Sequence, residues 1–276
     1  MANALSLGGL ASGLPAASRG ALVLVGFMGA GKSSAARVAA ADLRARPTDA
    51  DEELERALGC TIEDFFAAHG EPEFRAREED LVCALLERPP GPVLALGGGA
   101  IESERVRAAL GAHTVAWLEV DAETAWHRAG GRGRPLARDR RRFDELHERR
   151  EPLYEQVADA VIPSRDRETV RRGLAAVGLL ASAPDGTRLA WAGGEGGQYP
   201  VLAGDGLLGA GWWPVAGRRF VVSDETVDAL LGDGLGHVDH RLRGNDVLAL
   251  GGRPRGDEPR CHPPVLLPVG RLHVDD

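Results

Sequence analysis

Gly26-Phe-Met-Gly-Ala-Gly31-Lys32-Ser33 fits the spacing G-x-x-x-x-G-K-[ST]. An apolar run, Ala21-Leu-Val-Leu-Val25, precedes it and reads as a short buried strand. Ser33 to about Leu43 follows and is compatible with a helix. Strand, glycine loop and helix in that order open an α/β fold. The glycines let the backbone curl so that successive N–H groups point inward. With the positive end of the helix they form a cradle for the phosphates of a nucleotide. Lys32 supplies a compact charge that reaches the terminal phosphates, and Ser33 a hydroxyl for Mg²⁺. Of the 33 basic residues, Lys32 is the single lysine and the other 32 are arginine. A planar guanidinium has a different shape and reach, which explains why this one position keeps lysine.

Outward from the loop, strand and helix signals alternate. Val93-Leu-Ala-Leu96, ahead of Gly97-Gly98-Gly99, reads as a second buried strand, Val115–Val120 as a third and Ala160–Ile162 as a fourth. Helical patterns fill 51–58, 62–87, 103–110, 122–129 and 143–158. The alternation predicts a parallel sheet with helices on both faces. Residues 129–142, rich in arginine and glycine, read either as a solvated loop or as a mobile flap over a polyanion. The uncharged, glycine-broken stretch 1–18 reads as a disordered tail rather than a targeting segment. Residues 181–197 turn to Gly, Ala, Ser and Pro, the composition of a linker. Beyond it, 199–203, 219–222 and 247–250 offer three further strands, and 253–264 no periodicity.

Composition bounds the function. With 276 residues, 43% of them hydrophobic, the chain can build one large core or two small ones. The net charge of −8 excludes a general nucleic-acid binder. No apolar run reaches the length of a membrane-spanning helix. Cys60, Cys83 and Cys261 are an odd number without metal-ligand spacing, which suits a reducing cytoplasm. Asp49-Ala50-Asp51 places two carboxylates at i and i+2, where one can serve a metal and the other an acceptor. Taken alone, the same triplet also reads as an acidic surface turn.

The chain as a whole resembles shikimate kinase, within the P-loop NTPase (nucleoside-monophosphate-kinase-like) group, over about residues 20–175. Six signatures carry the resemblance in order: Gly26–Ser33; Asp49-Ala50-Asp51-x-x-Leu54-Glu55; Phe66-x-x-x-Gly70-Glu71-x-x-Phe74-Arg75-x-x-Glu78; Gly97-Gly98-Gly99-Ala100; Arg134-Pro135-Leu136; and Arg150-x-Pro152-Leu153-Tyr154. It implies a parallel sheet sandwiched by helices, ATP with Mg²⁺, and phosphorylation of the 3-hydroxyl of shikimate. It further implies ATP contacts from Gly29, Ala30, Gly31, Lys32, Ser33 and Ser34, with Arg128 packing on adenine. Ser33 and Asp49 would serve the metal. Arg75 and Arg150 would hold the shikimate carboxylate, for which a forked, permanently charged donor is suited. Asp51 would orient or deprotonate the attacking hydroxyl, and Gly97, Gly98 and Gly99 would admit the substrate to the backbone. Arg134 would neutralise charge on the transferring group as the flap closes. The family's middle threonine is Ala50 here, its fourth flap residue is Ala137, and Pro47 disfavours a long strand before Asp49.

Residues 198–276 resemble the opening of 3-dehydroquinate synthase, through Tyr199–Leu208, Val221–Val227 and Asn245–Gly252. The resemblance then stops: Arg253 stands where a third glycine is expected, and the metal-binding helical domain is missing. NAD and divalent-metal binding are therefore not expected of this piece, and synthase activity is expected to be absent. His237 and His240 have tolerable ligand spacing, yet read as surface residues. The stretch 253–276 looks like a degraded remnant or out-of-frame translation. The organisation so read is a tail to residue 19, a kinase domain at 20–180, a linker at 181–197 and an incomplete fragment at 198–276. A chain ending near Ala183 would then keep the whole kinase. The kinase is expected to be monomeric, cytoplasmic, and free of nucleic-acid and membrane partners. A gluconate-type kinase, a silent nucleotide-binding module and an NAD-binding scaffold are the alternatives. Phe74-Arg75, the triple glycine and the 150–154 set speak against the first, intact Lys32, Asp51, Arg75 and Arg150 against the second, and Arg253 against the third.

Overall fold

The structure, a computed structural model, describes residues 20–129, 139–194, 197–205 and 207, with the backbone of 220–223 and 240–243. Its elements run β1 (Leu22–Val25), α1 (Lys32–Asp42), β2 (Thr48–Asp49), α2 (Ala50–Leu58), α3 (Ile62–Glu87), β3 (Val93–Ala95), α4 (Glu104–Leu110), β4 (Thr114–Glu119), α5 (Ala122–Ala129), α6 (Arg140–Val157), β5 (Ala160–Pro163), α7 (Arg167–Val177), β6 (Arg188–Gly194), β7 (Gly197–Ala203), β8 (Phe220–Ser223) and β9 (His240–Arg243). Short 3₁₀ turns cover Ala100–Glu102 and Gly178–Ser182. The tail to residue 19, Arg134 with the flap at 130–138, and the expected strand at 247–250 lie outside the described residues.

The chain divides into two units. The first, residues 1–192 and 200–216, holds the strand order β2-β3-β1-β4-β5-β6. The strand pairings from β2 to β6 are all parallel, as the alternation of strand and helix predicts. β1 sits between β3 and β4, so the chain leaves it toward one side of the sheet first and returns to the other later. That reversal opens a crevice at the carboxyl ends of the strands. The glycine loop follows β1, Asp49 ends β2 and the triple glycine follows β3, so the topology alone brings three of the signatures to one rim.

All four residues of β1 are buried, which is why the strand reads as an apolar run and not as an alternation. α1 lies on the sheet through Ala35, Ala36, Ala39 and Ala40, small residues that let a helix approach closely. β2 is only two residues long, consistent with Pro47 fixing the backbone and removing a donor just before it. α3 is interrupted at Gly70, whose φ of 77° and ψ of 175° are not helical; Pro72 restarts the helix two residues later.

Two features differ from the sequence expectations. α7 has no counterpart among them: its signal is a cap, with Asp166 accepting from Thr169 N, ahead of Leu174 and Val177, which are buried three apart. Residues 188–194 are a strand rather than a linker. β6 adds in parallel to β5 and alternates outward and inward, with Leu189 and Trp191 1% and 3% exposed. Glycine and alanine mask this alternation because they carry little hydrophobic signal of their own. Trp191 lies against α7, where a Cβ on Gly173 would meet both Ile162 and the indole, and Arg172 stacks over its ring at 5.5 Å. A chain ending near Ala183 would strip this strand from β5. Trp191→Ala should cost about 3–5 kcal/mol of stability; an unchanged melting temperature would contradict the assignment of β6 to the core.

In the second unit β8 and β9 form a parallel pair with Phe220 opposite His240. The strand expected at 219–222 is thus observed one residue later. His240, expected at the surface of a glycine-rich loop, begins a strand instead.

Candidate active site

The glycine loop is built by backbone that only glycine adopts readily. Gly29 and Gly31 have φ of 84° and 78°, and a Cβ on Gly29 would stand 2.6 Å from the carbonyl oxygen of Ala125 in α5. Gly31 caps α1 without any side-chain hydrogen bond, and the first turn of the helix carries no acid. Nothing in the helix's own sequence neutralises its positive end, so that end is available to an anion. Lys32 Nζ donates to the carbonyls of Gly26 at 2.8 Å and Phe27 at 3.1 Å, which hold the ammonium at the loop. Ser33 and Ser34 follow in the first turn of α1.

Arg128, at the end of α5, donates to the carbonyl of Ser164 at 2.8 Å and to that of Arg165 at 2.9 Å. Ser164 Oγ in turn donates to the carbonyl of Ala30 at 2.8 Å. Arg128 is therefore tied to the phosphate loop through one serine, on the nucleotide side of the crevice. Arg134 lies outside the described residues.

The other side of the crevice gathers the acceptor candidates. A Cβ on Gly97 would stand 2.6 Å from Glu78 Oε1 and 2.7 Å from Asp51 Oδ1, so both carboxylates lie directly over that glycine. A Cβ on Gly98 would press on Met28 N and the Gly26 carbonyl, which puts the triple glycine against the phosphate loop itself. A Cβ on Gly99 would fall within the Arg75 guanidinium. Asp49 is the N-cap of α2, its Oδ1 accepting from Asp51 N at 3.1 Å. The two aspartates thus have different surroundings: Asp49 closes a helix, while Asp51 stands over Gly97.

Three groups without an assigned role in the sequence reading hold this arrangement. Glu78 is buried and accepts from Arg75 Nη1. Burial, with the Asp51 charge adding to it, pushes the Glu78 carboxyl above its ordinary range against the pull of Arg75. Tyr154 Oη donates to the Gly98 carbonyl at 2.6 Å and fixes the middle of the triple glycine; burial raises its phenol far above the usual value. Glu102 accepts from Arg150 Nη2 at 2.7 Å and from Arg149 Nη2 at 3.1 Å. Glu78 and Tyr154 stood in the quoted signatures. Glu102 had no sequence signal, because its partners come from a helix some 48 residues away.

Arg150 is 1% exposed and its guanidinium packs over the Phe27 ring at 5.9 Å. Phe27 belongs to the phosphate loop, so this one contact joins the two sides of the crevice. The site therefore sets a phosphate cradle beside two arginines, with two carboxylates over bare backbone and no Cβ to intrude. Among the described residues no group of three or more His, Cys, Asp and Glu side chains could hold a metal ion by itself. A hydroxyl at Ser33 and a carboxylate at Asp49 are hard oxygen donors of the kind that complete a Mg²⁺ shell supplied mainly by phosphates and water.

A model of the shikimate kinase family matches residues 28–176. A shikimate kinase of Nitrobacter winogradskyi is 46% identical over 150 residues, 52% of this chain and 69% of that protein. A shikimate kinase of Mycobacterium tuberculosis (strain ATCC 25177 / H37Ra) is 44% identical over 149 residues, 52% of this chain and 84% of that protein. Among solved structures, a shikimate kinase from Acinetobacter baumannii in complex with shikimate is 32% identical, with a TM-score of 0.55 over 59% of this chain and 94% of that one. The matched stretch begins inside the glycine loop and ends within α7, so it takes in both sides of the crevice. A family model that accounts for more than half of the sequence, beside relatives matched over most of their own length, makes this chain a member of the shikimate kinase family.

Proposed function

We propose that the protein transfers the terminal phosphoryl group of ATP to the 3-hydroxyl of shikimate. The observation that carries this reading is the abutment of two sites: the Gly98 backbone lies against the phosphate loop, Asp51 and Arg75 stand over Gly97 and Gly99, and Arg150 packs over Phe27 of the loop. The acceptor carboxylate would meet Arg75 and Arg150, the hydroxyls Asp51, and the nucleotide the loop at Gly29–Ser34 with Arg128 beside adenine. Asp51 orients the attacking hydroxyl and takes its proton as the bond to phosphorus forms. Lys32 and the first-turn N–H groups of α1 balance the charge on the phosphates, and the rigid crevice holds donor and acceptor in line. Ser33 and Asp49 would hold Mg²⁺ together with the phosphates, and the ion would supply charge neutralisation there. Arg134 would add to it from the flap.

A coupled ADP-release assay with shikimate, beside gluconate and an acceptor-free control, tests the reading. Shikimate-dependent release supports it, and equal release in all three arms removes it. Arg75→Ala should raise the shikimate KM by the equivalent of about 1.5–3 kcal/mol, the worth of a hydrogen bond to a charged group, with a smaller change in the ATP KM. An unchanged shikimate KM would contradict the carboxylate assignment.

Among the described residues no helix is long and apolar enough to cross a membrane. A monomeric enzyme of the cytoplasm is the setting we propose, in keeping with an exposed free thiol at Cys60 and a buried one at Cys83. For residues 198–276 we propose a segment related to the opening of 3-dehydroquinate synthase. The parallel pairing of β8 and β9 suits such a piece, while Gly251-Gly252-Arg253 lies outside the described residues.

A further inference from the structure

Glu102 closes the 3₁₀ turn that follows the triple glycine, and its carboxylate lies in the middle of the cationic cluster. Oε2 accepts from Arg150 Nη2 at 2.7 Å, and Oε1 from Arg149 Nη2 at 3.1 Å and Nε at 3.3 Å. Arg150 Nε is buried and finds no partner among the described residues. Nε and Nη2 form one edge of the guanidinium, the edge that grips a carboxylate with two parallel bonds. Glu102 uses that edge with one oxygen only, leaving half of it unsatisfied. A second carboxylate that took both positions would bind better than Glu102 does.

The surroundings let this carboxylate move while its backbone stays. Arg107 Nη1 donates to the carbonyls of Ile101 and Glu102 at 2.7 and 3.0 Å, and Ser103 caps α4 immediately after. The turn is thereby pinned from behind. The two arginines that share the carboxylate differ sharply: the Arg150 side chain is 1% exposed, Arg149 62%. A carboxylate between them has an inner and an outer partner within reach of a side-chain rotation. Partial burial works against the charge on Glu102, yet the hydrogen bond and charge of Arg150 and the hydrogen bonding of Arg149 outweigh it and hold the carboxyl below its ordinary range. At neutral pH it is an anion, like the group it would compete with.

We propose that Glu102 is an internal competitor for the carboxylate of the acceptor: it holds Arg150 in the empty site, yields that arginine to the incoming substrate by shifting onto Arg149, and so sets acceptor affinity without touching the reacting atoms. This rests on the reading of Arg150 as the acceptor's carboxylate partner. It makes Glu102 a positioning and selectivity residue, distinct from the groups around the phosphates.

Steady-state kinetics of the full chain on Glu102→Gln, Arg149→Ala and the double variant test the proposal. A glutamine keeps the shape and an oxygen acceptor for Arg150 but removes the competing charge, and charge-assisted bonds are about twice as strong as neutral ones. The shikimate KM of Glu102→Gln should fall by about fivefold to tenfold with kcat within twofold. Its melting temperature without shikimate should drop, and its rise on adding shikimate should exceed that of the parent. Arg149→Ala, at an exposed position where the fold tolerates change, removes the outer partner and should raise the shikimate KM. In the double variant that rise should vanish, because no carboxylate is left to relocate. A Glu102→Gln KM that is unchanged or raised, or an Arg149→Ala effect that persists in the double variant, overturns the proposal. Absence of shikimate-dependent turnover in the parent protein would instead remove the reading beneath it.

Discussion

Lys32→Arg should lower phosphoryl transfer by roughly 10³-fold, the scale seen when one preorganised charge-stabilising donor is lost, while thermal unfolding stays close to that of the parent. The substitution keeps the charge and removes the geometry. Lys32 Nζ sits between the carbonyls of Gly26 and Phe27, at 2.8 and 3.1 Å, inside a loop whose other wall is the backbone of α5. A guanidinium spreads its charge over a plane and cannot occupy that point. ATP should still bind, because the first-turn N–H groups of α1 and the helix end remain. The effect should therefore fall on kcat more than on the ATP KM. Activity within a few-fold of the parent would contradict the role of this loop as the catalytic cradle.

Asp51→Asn should reduce turnover with shikimate to near the acceptor-free background and leave ATP affinity unchanged. The amide preserves volume over Gly97 but cannot take a proton from the attacking hydroxyl. Stability separates this from simple damage. The Asp51 charge contributes to raising the Glu78 carboxyl, so its removal relieves a repulsion at a buried site and should leave the melting temperature equal or higher. Loss of activity together with a marked loss of stability would mean that Asp51 is structural. Normal turnover would mean that the proton goes elsewhere.

The phosphate loop was legible in the sequence because its chemistry is local: Gly26 to Ser33 needs only a strand before it and a helix after it. The same holds for α3 and α5, whose observed spans, Ile62–Glu87 and Ala122–Ala129, coincide with the helical patterns at 62–87 and 122–129. The acceptor side was legible only through family signatures, since Asp51, Arg75, the triple glycine and Arg150 come from four separate elements and meet at the rim of the sheet. Where neither local pattern nor signature spoke, the reading failed. β6 hides its alternation behind Gly and Ala, and its Trp191 packs where Gly173 of α7 carries no side chain, a neighbour that only the folded sheet supplies. α7 shows itself by a cap at Asp166 and a short buried face that includes Leu174 and Val177. Glu102 is an ordinary glutamate in sequence and becomes a group of interest only when α6 delivers two arginines to it.

One crevice brings a nucleotide's terminal phosphate to the 3-hydroxyl of shikimate. The most direct measurement is the position of the new phosphate, by phosphorus–proton coupling in the NMR spectrum of the product made by the full chain from ATP and shikimate. Coupling to the proton on carbon 3, in one product formed in step with ADP, is the predicted result. A phosphate on another hydroxyl, or ADP formed with no phosphorylated shikimate, would contradict it.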